Sequence, residues 1–228
     1  MMSSYIRALI NLFYPKACVG CGLSLMREEE FLCVGCEMEL PINPFLNEPN
    51  NEIKQVFAGR LPLKSANTFL YFSKNGITQR LIHGLKYEDR QDVGNMLGYR
   101  FGLELAALNN SYDAIIPVPL HPDKEKTRGY NQCLSIAQGL SQALNCIVLD
   151  DVVCRNVANP SQTKLNRAKR WDNVSGIFSL INPEAIANKH ILLIDDTLTT
   201  GATLESCGSE ILKAPGTMLS IVTLAYAQ

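Results

Sequence analysis

The stretch ILLIDDTLTTGAT, residues 191–203, decides the fold. Four branched apolar residues run without alternation, so both faces of their strand are expected to be buried, the habit of a central strand in a parallel sheet. Two adjacent carboxylates, Asp195 and Asp196, then mark the strand's carboxyl end, and Thr197, Leu198, Thr199, Thr200 and Gly201 form a loop. A helix is expected from about Ala202 to Lys213. In open parallel sheets ligands sit beyond the carboxyl ends of the strands. A helix start there offers unpaired N–H groups and the positive end of the helix dipole to an anion. The threonine hydroxyls, Thr203 included, add donors, and Gly201 lets the backbone turn tightly. Carboxylates that can accept from two sugar hydroxyls, beside a loop that can take a phosphate, point to a ribose 5-phosphate. No lysine follows the glycine as a P-loop requires, and no G-x-G-x-x-G exists for a dinucleotide.

Outward from this stretch, apolar spacing predicts strands at 66–72 (ANTFLYF), 113–120 (DAIIPVPL) and at the closing TMLSIVTLAYA. Helices are predicted over 76–86, around Val93, Leu97, Phe101, Leu105 and Leu108, and over 130–144. Strand and helix in this alternation give an α/β fold, a Rossmann-like parallel sheet with helices on both faces. Cys133 and Cys207 fall on apolar helix faces and read as core.

The chain has 228 residues, enough for one sizeable core and a small appendage. Its net charge of −1 gives no global attraction to nucleic acid, so a polyanion site has to be a local patch. Such a patch is offered from Arg155 to Trp171, where five cations stand with no acid. Cations beside an aromatic suit single-stranded nucleic acid.

Four of the eight cysteines form two C-x-x-C pairs, Cys18 with Cys21 and Cys33 with Cys36, separated by eleven residues. This spacing is that of a tetrahedral structural zinc site and of a reduced compartment, so a cytoplasmic protein is expected. The apolar run near the start, with Ile6, Leu9, Ile10 and Phe13 at helical spacing, is too short to span a bilayer, and no integral membrane segment is expected. The division read from the sequence is an amphipathic helix over 1–14, a zinc module over 15–40, a linker over 41–65 rich in proline and asparagine, and the main domain over 66–228.

The thirteen-residue stretch resembles the phosphoribosyl pyrophosphate (PRPP) motif of type I phosphoribosyltransferases. The remainder resembles one branch, the ComF family of DNA-uptake competence, in LIHGLKYEDR (81–90), IIPVPLHPDKEKTRGYNQ (115–132), RNVANPSQTKLNRAKRWDNVSGIF (155–178) and the double C-x-x-C. The resemblance implies that Asp195 and Asp196 hold the ribose hydroxyls while Thr197 to Ala202 wrap the 5-phosphate. It implies a pyrophosphate loop at Val118, Pro119, Leu120 and His121, with Lys86, Lys124, Lys126 and Arg128 as candidates to neutralise pyrophosphate. A hood at about 150–180 would carry Arg155, Gln162, Lys164, Arg167, Arg170 and Trp171 as contacts to the ligand or to DNA. Magnesium would arrive with PRPP, and single-stranded DNA and DNA-uptake or recombination proteins are the implied partners. The implied reaction displaces pyrophosphate from ribose C1, with the acceptor unknown. Two alternatives stand beside it, a non-catalytic PRPP or nucleotide sensor that binds DNA and a nucleobase salvage enzyme.

Overall fold

A computed structural model describes residues 16–46, 48–156 and 176–227. The helix expected over 1–14 and the hood residues Gln162, Lys164, Arg167, Arg170 and Trp171 lie outside the described residues. In chain order the elements are α1 (Val34–Met38), α2 (Glu52–Val56), β1 (Leu63–Tyr71), α3 (Ile77–Tyr87), α4 (Gln91–Ala106), β2 (Ala114–Pro117), α5 (Pro122–Arg128), α6 (Gln132–Leu144), β3 (Ile147–Val148), β4 (Val153–Arg155), β5 (Phe178–Leu180), β6 (His190–Leu198), α7 (Ala202–Ile211) and β7 (Met218–Tyr226).

Five strands form one sheet in the order β1-β7-β6-β2-β3, and each neighbouring pair is parallel. β4 and β5 make a separate antiparallel pair. As the unbroken apolar run requires, β6 is central: Ile191, Leu192, Leu193 and Ile194 are all fully buried. Alternate residues serve two cores. Leu192 and Ile194 pack with α3, α4 and α6, and Ile191 and Leu193 pack with α7 and the β4–β5 pair.

α4 and α6 approach closely because glycines face the crossing. A Cβ on Gly98 would lie 2.1 Å from the Ile136 carbonyl oxygen, and one on Gly139 would lie 2.0 Å from that of Asn95. Glycine inside a helix costs about 1 kcal/mol of propensity against alanine. The crossing returns that cost as backbone-to-backbone contact, and it sets where the first turn of α6 stands.

Three differences from the sequence reading bear on the site. β6 does not end at the acid pair but runs to Leu198, held by β7 through Asp195–Thr223, Thr197–Ala225 and Leu198–Tyr226 pairing. On its other side β2 accompanies β6 only as far as Ile194, opposite Pro117. Residues 41–65, read as a linker, are packed instead: Ile42 bridges Leu70, α2 lies on β1, Ile53 and Phe57 are buried, and β1 already begins at Leu63. Asparagines there hold the backbone: the Asn51 side chain accepts from Lys54 N at the start of α2 and that of Asn43 from Phe45 N. Finally, α5 carries no buried residue, so no apolar period announced it.

Candidate functional site at the carboxyl edge of the sheet

Because β2 stops and β6 continues, a notch opens between them. A cavity of about 300 Å³ occupies it, lined by residues of the four motif stretches 81–90, 115–132, 155–178 and 191–203 and by Cys133 of α6. Lys86 comes from the last turn of α3; Val118, Pro119 and Leu120 from the turn after β2; Lys124 and Arg128 from α5. Asp195, Asp196, Thr197, Thr199 and Thr203 come from β6 and the turn into α7, and Arg155 from β4.

The other expected residues lie outside the lining. Lys126 is two positions from Lys124 and Arg128, which are themselves four apart, so it falls on the outer side of α5. Leu198 points into the core at 1% exposure. The His121 side chain caps α5 by accepting from Asp123 N at 3.2 Å. Thr200 is exposed and its carbonyl accepts from Arg60 at 3.1 Å. Gly201, at φ 78°, is the N-cap of α7, and Ala202 opens that helix. Gly201, as N-cap, has no side chain to accept from α7, and of the first N–H groups that of Ala202 donates to Thr200 Oγ1 at a long 3.5 Å.

The two carboxylates differ in environment. Asp196 is 4% exposed, with Oδ1 2.8 Å from Lys86 Nζ and Oδ2 accepting from Gln132 Nε2 at 2.6 Å. Gln132 is held in turn by Arg128, whose Nη1 donates to Gln132 Oε1 at 2.8 Å. A four-residue relay, Arg128–Gln132–Asp196–Lys86, therefore ties α5, α6, β6 and α3 together. Asp195 is half-buried and its Oδ1 accepts from Asp196 N at 2.8 Å and from Cys133 Sγ at 3.4 Å. Burial, and then the negative charge of Asp196, push its carboxyl up to about 6. Cys133, expected as core, is buried but lines the cavity, and burial together with both aspartates holds its thiol well above the usual range. Thr197 Oγ1 is buried against the cavity with no hydrogen-bond partner among the described residues, a donor left over for a ligand oxygen. Sequence reasoning missed Gln132 and Cys133. The signal was their place directly after Asn131, which caps the start of α6 by accepting from Cys133 N.

The second cluster is sulfur. The Sγ atoms of Cys18, Cys21, Cys33 and Cys36 all lie within 4.8 Å of one another, and those of Cys21 and Cys33 are 3.7 Å apart. Four sulfurs at about 2.3 Å from one tetrahedral zinc stand about 3.8 Å apart, so the cluster fits that ion. Burial alone would raise the Cys18 thiol, but N–H groups of Cys33, Cys21 and Gly20 outweigh it and bring it down to about 7. Gly20 is required by space, since a Cβ there would lie 2.8 Å from Cys36 Sγ. The module is not a free appendage: Cys18, Leu32, Cys36 and Leu40 belong to the same core as α3, α4 and α6, and Glu37 pairs with Arg100 of α4.

The fold and site together define a parallel α/β protein with an acidic and cationic cleft at the carboxyl edge and a four-cysteine module at its side. No protein-family model matches the chain. It is similar to Competence protein F of Haemophilus influenzae, 26% identical over 219 residues that cover 90% of this chain and 93% of that protein. It is also similar to the DNA utilization protein YhgH of Escherichia coli (strain K12), 30% identical over 138 residues, 58% of this chain and 60% of that protein. Among solved structures it resembles glutamine phosphoribosylpyrophosphate amidotransferase from B. subtilis complexed with ADP and GMP, with a TM-score of 0.43 and 15% identity over 61% of this chain and 30% of that one. No described helix is long and apolar enough to cross a membrane.

Proposed function

We propose that the cleft beside Asp195 binds PRPP, and that the chain uses it in handling internalised DNA. The observation that carries this reading is one cavity holding Asp195, the unpartnered Thr197 hydroxyl and the cations Lys86, Lys124 and Arg128. The start of α7, where glycine is the N-cap and only the weak Thr200 contact engages Ala202 N, suits the 5-phosphate. With Asp196 engaged by Lys86 and Gln132, Asp195 is the carboxylate that meets the ribose diol, and Asp196 holds Lys86 in place for the diphosphate. The role of DNA comes from the names of the relatives.

In the implied reaction the bond from C1 to the diphosphate oxygen breaks and its electron pair leaves with pyrophosphate. A nucleophile's lone pair forms the new bond to C1 and its proton passes to solvent. Asp195 would offset the positive charge that grows on the sugar, and the cations the charge on the leaving group. Magnesium bound to PRPP would add its own charge to that screening. Lys124 is a point charge where an arginine would grip a phosphate with two bonds. Calorimetric titration with PRPP and magnesium tests the reading; no detectable heat at millimolar ligand rejects it.

A second reading, a sensor that binds PRPP without turnover, is favoured by the engagement of both Asp196 oxygens, one by Lys86 and one by Gln132. Pyrophosphate release from PRPP, assayed with single-stranded DNA and with free bases, separates the three possibilities. Release only with DNA supports transfer, release with a base supports salvage, and binding without release supports sensing. The basic stretch of residues 155–171 is proposed as a further contact to DNA; unchanged salt dependence after Lys164, Arg167 and Arg170 are replaced by Ala would reject it. The four-cysteine module is proposed to hold one zinc ion in a structural role.

A further inference from the structure

A second cavity, of about 670 Å³, adjoins the first and shares Lys86, Lys124 and Arg128 with it. Its remaining walls are Tyr87 at the end of α3, Glu88 and Asp89 just after it, and Asp123 and Thr127 of α5. Tyr87 ends α3 with 68% of its surface exposed, although the neighbouring α3 positions Leu81, Ile82 and Leu85 are buried. The Arg128 guanidinium lies over its ring at 5.6 Å, and His83 leans on it at 4.9 Å between ring centroids. Arg128 is the hinge between the cavities, since the same side chain donates to Gln132 beside Asp196.

Charge decides what such a groove takes. Three cations and three carboxylates line the groove, and Lys86 is already paired with Asp196, so the groove offers little net positive charge to a phosphate chain. Two carboxylates are only partly engaged: Glu88 by His83 at 3.1 Å and Asp89 by Gln91 at 2.9 Å. Asp123 lies 3.5 Å from His121. The Lys124 ammonium has no partner among the described residues. A ring still 68% exposed beneath the Arg128 guanidinium, with acceptors and donors around the rim, matches a flat heterocycle with amino and carbonyl groups on its edge. We infer that the Tyr87 groove binds a nucleobase, stacked on the ring while its sugar and phosphate reach toward Lys124 and the neighbouring cleft. This deepens the proposed function, on which it rests, by assigning the base to the α3–α5 side of the cleft and not to the hood. The base can come from a single strand or from a free nucleotide.

The test is fluorescence anisotropy on the full chain with a labelled oligo(dT) of about fifteen nucleotides and an abasic oligomer of equal length, within the site sizes usual for single strands. The wild-type protein should prefer the oligomer that carries bases. Tyr87→Ala should weaken that oligomer about tenfold, as loss of one stacked base does, leave the abasic oligomer unaffected and keep the salt slope, because no phosphate contact is lost. Tyr87→Trp should keep the preference that Tyr87→Ala loses. Competition by dTMP that fails against Tyr87→Ala would assign the same groove to free nucleotides. Equal binding of both oligomers by the wild type, no binding of any probe, or an unchanged preference in Tyr87→Ala would overturn the inference. A wild-type PRPP titration run alongside distinguishes the readings: a normal heat with an unchanged Tyr87→Ala preference sinks the groove alone, and a missing heat sinks the PRPP reading itself.

Discussion

Lys86 Nζ sits 2.8 Å from Asp196 Oδ1, and the carboxylate side chain it meets is only 6% exposed. An ion pair this sheltered stabilises little in absolute terms, yet breaking one side of it leaves a buried charge alone. Gln132 on the second oxygen offsets part of that, but it brings no charge.

Lys86→Met should therefore lower stability by about 1–3 kcal/mol in urea melts, less than a fully buried pair because the lysine side chain is 22% exposed. The double variant Lys86→Met with Asp196→Asn should lose less than the sum of the two single losses. Additive losses would show that the pair is not coupled.

Asp195 should carry a pH signature. Its carboxyl titrates at about 6 in the folded chain and at about 3.9 when unfolded. Between those values the folded state binds more protons, so this group makes stability fall as pH rises from about 4 to about 6. Beyond that the contribution is level. Asp195→Asn should remove the fall. A ligand whose hydroxyls donate to the ionised form should bind more tightly as pH rises through about 6, and Asp195→Asn should flatten that rise.

Gly20→Ala should lower zinc affinity, because its Cβ would stand 2.8 Å from Cys36 Sγ. Competition with a chelator of known affinity measures it. If the cluster holds zinc as proposed, a chelator should also destabilise α4, since Leu32 and Leu40 share its core and Glu37 pairs with Arg100.

Gly98→Ala should cost about 1–3 kcal/mol or more, although alanine is the better helix former. The obstacle is backbone, the Ile136 carbonyl at 2.1 Å, which no rotamer change can clear. Because α6 carries Gln132 and Cys133 in its first turn, the same variant should also weaken PRPP binding. A fall in thermal midpoint with affinity intact would separate the crossing from the site.

How much of this could be read beforehand follows from where the apolar residues are. β6 was legible because Ile191 to Ile194 need two cores. α3, α4 and α6 were legible because their buried residues repeat at helical spacing. α5 was not, since none of its residues is buried and its existence rests on His121 and Pro122 at one end and on Gly129, at φ 83°, at the other. The acid pair was legible as a pair. Its division of labour was not, because strand alternation sends Asp196 toward α3 and α6, and only the fold brings Lys86 and Gln132 to meet it. The signal for Cys133 was misleading, since burial in a core and burial against a cleft give the same apolar period.

The opening itself is owed to proline chemistry. Val118 N donates to the Ile194 carbonyl at 2.9 Å, the last rung of that ladder, and Pro117 and Pro119 on either side have no amide hydrogen to offer. The ring of Pro119 holds its φ at about −65°, away from the extended value that β2 would need to keep pace with β6, so the size of the recess is fixed by a ring closed on the backbone as much as by any side chain that lines it.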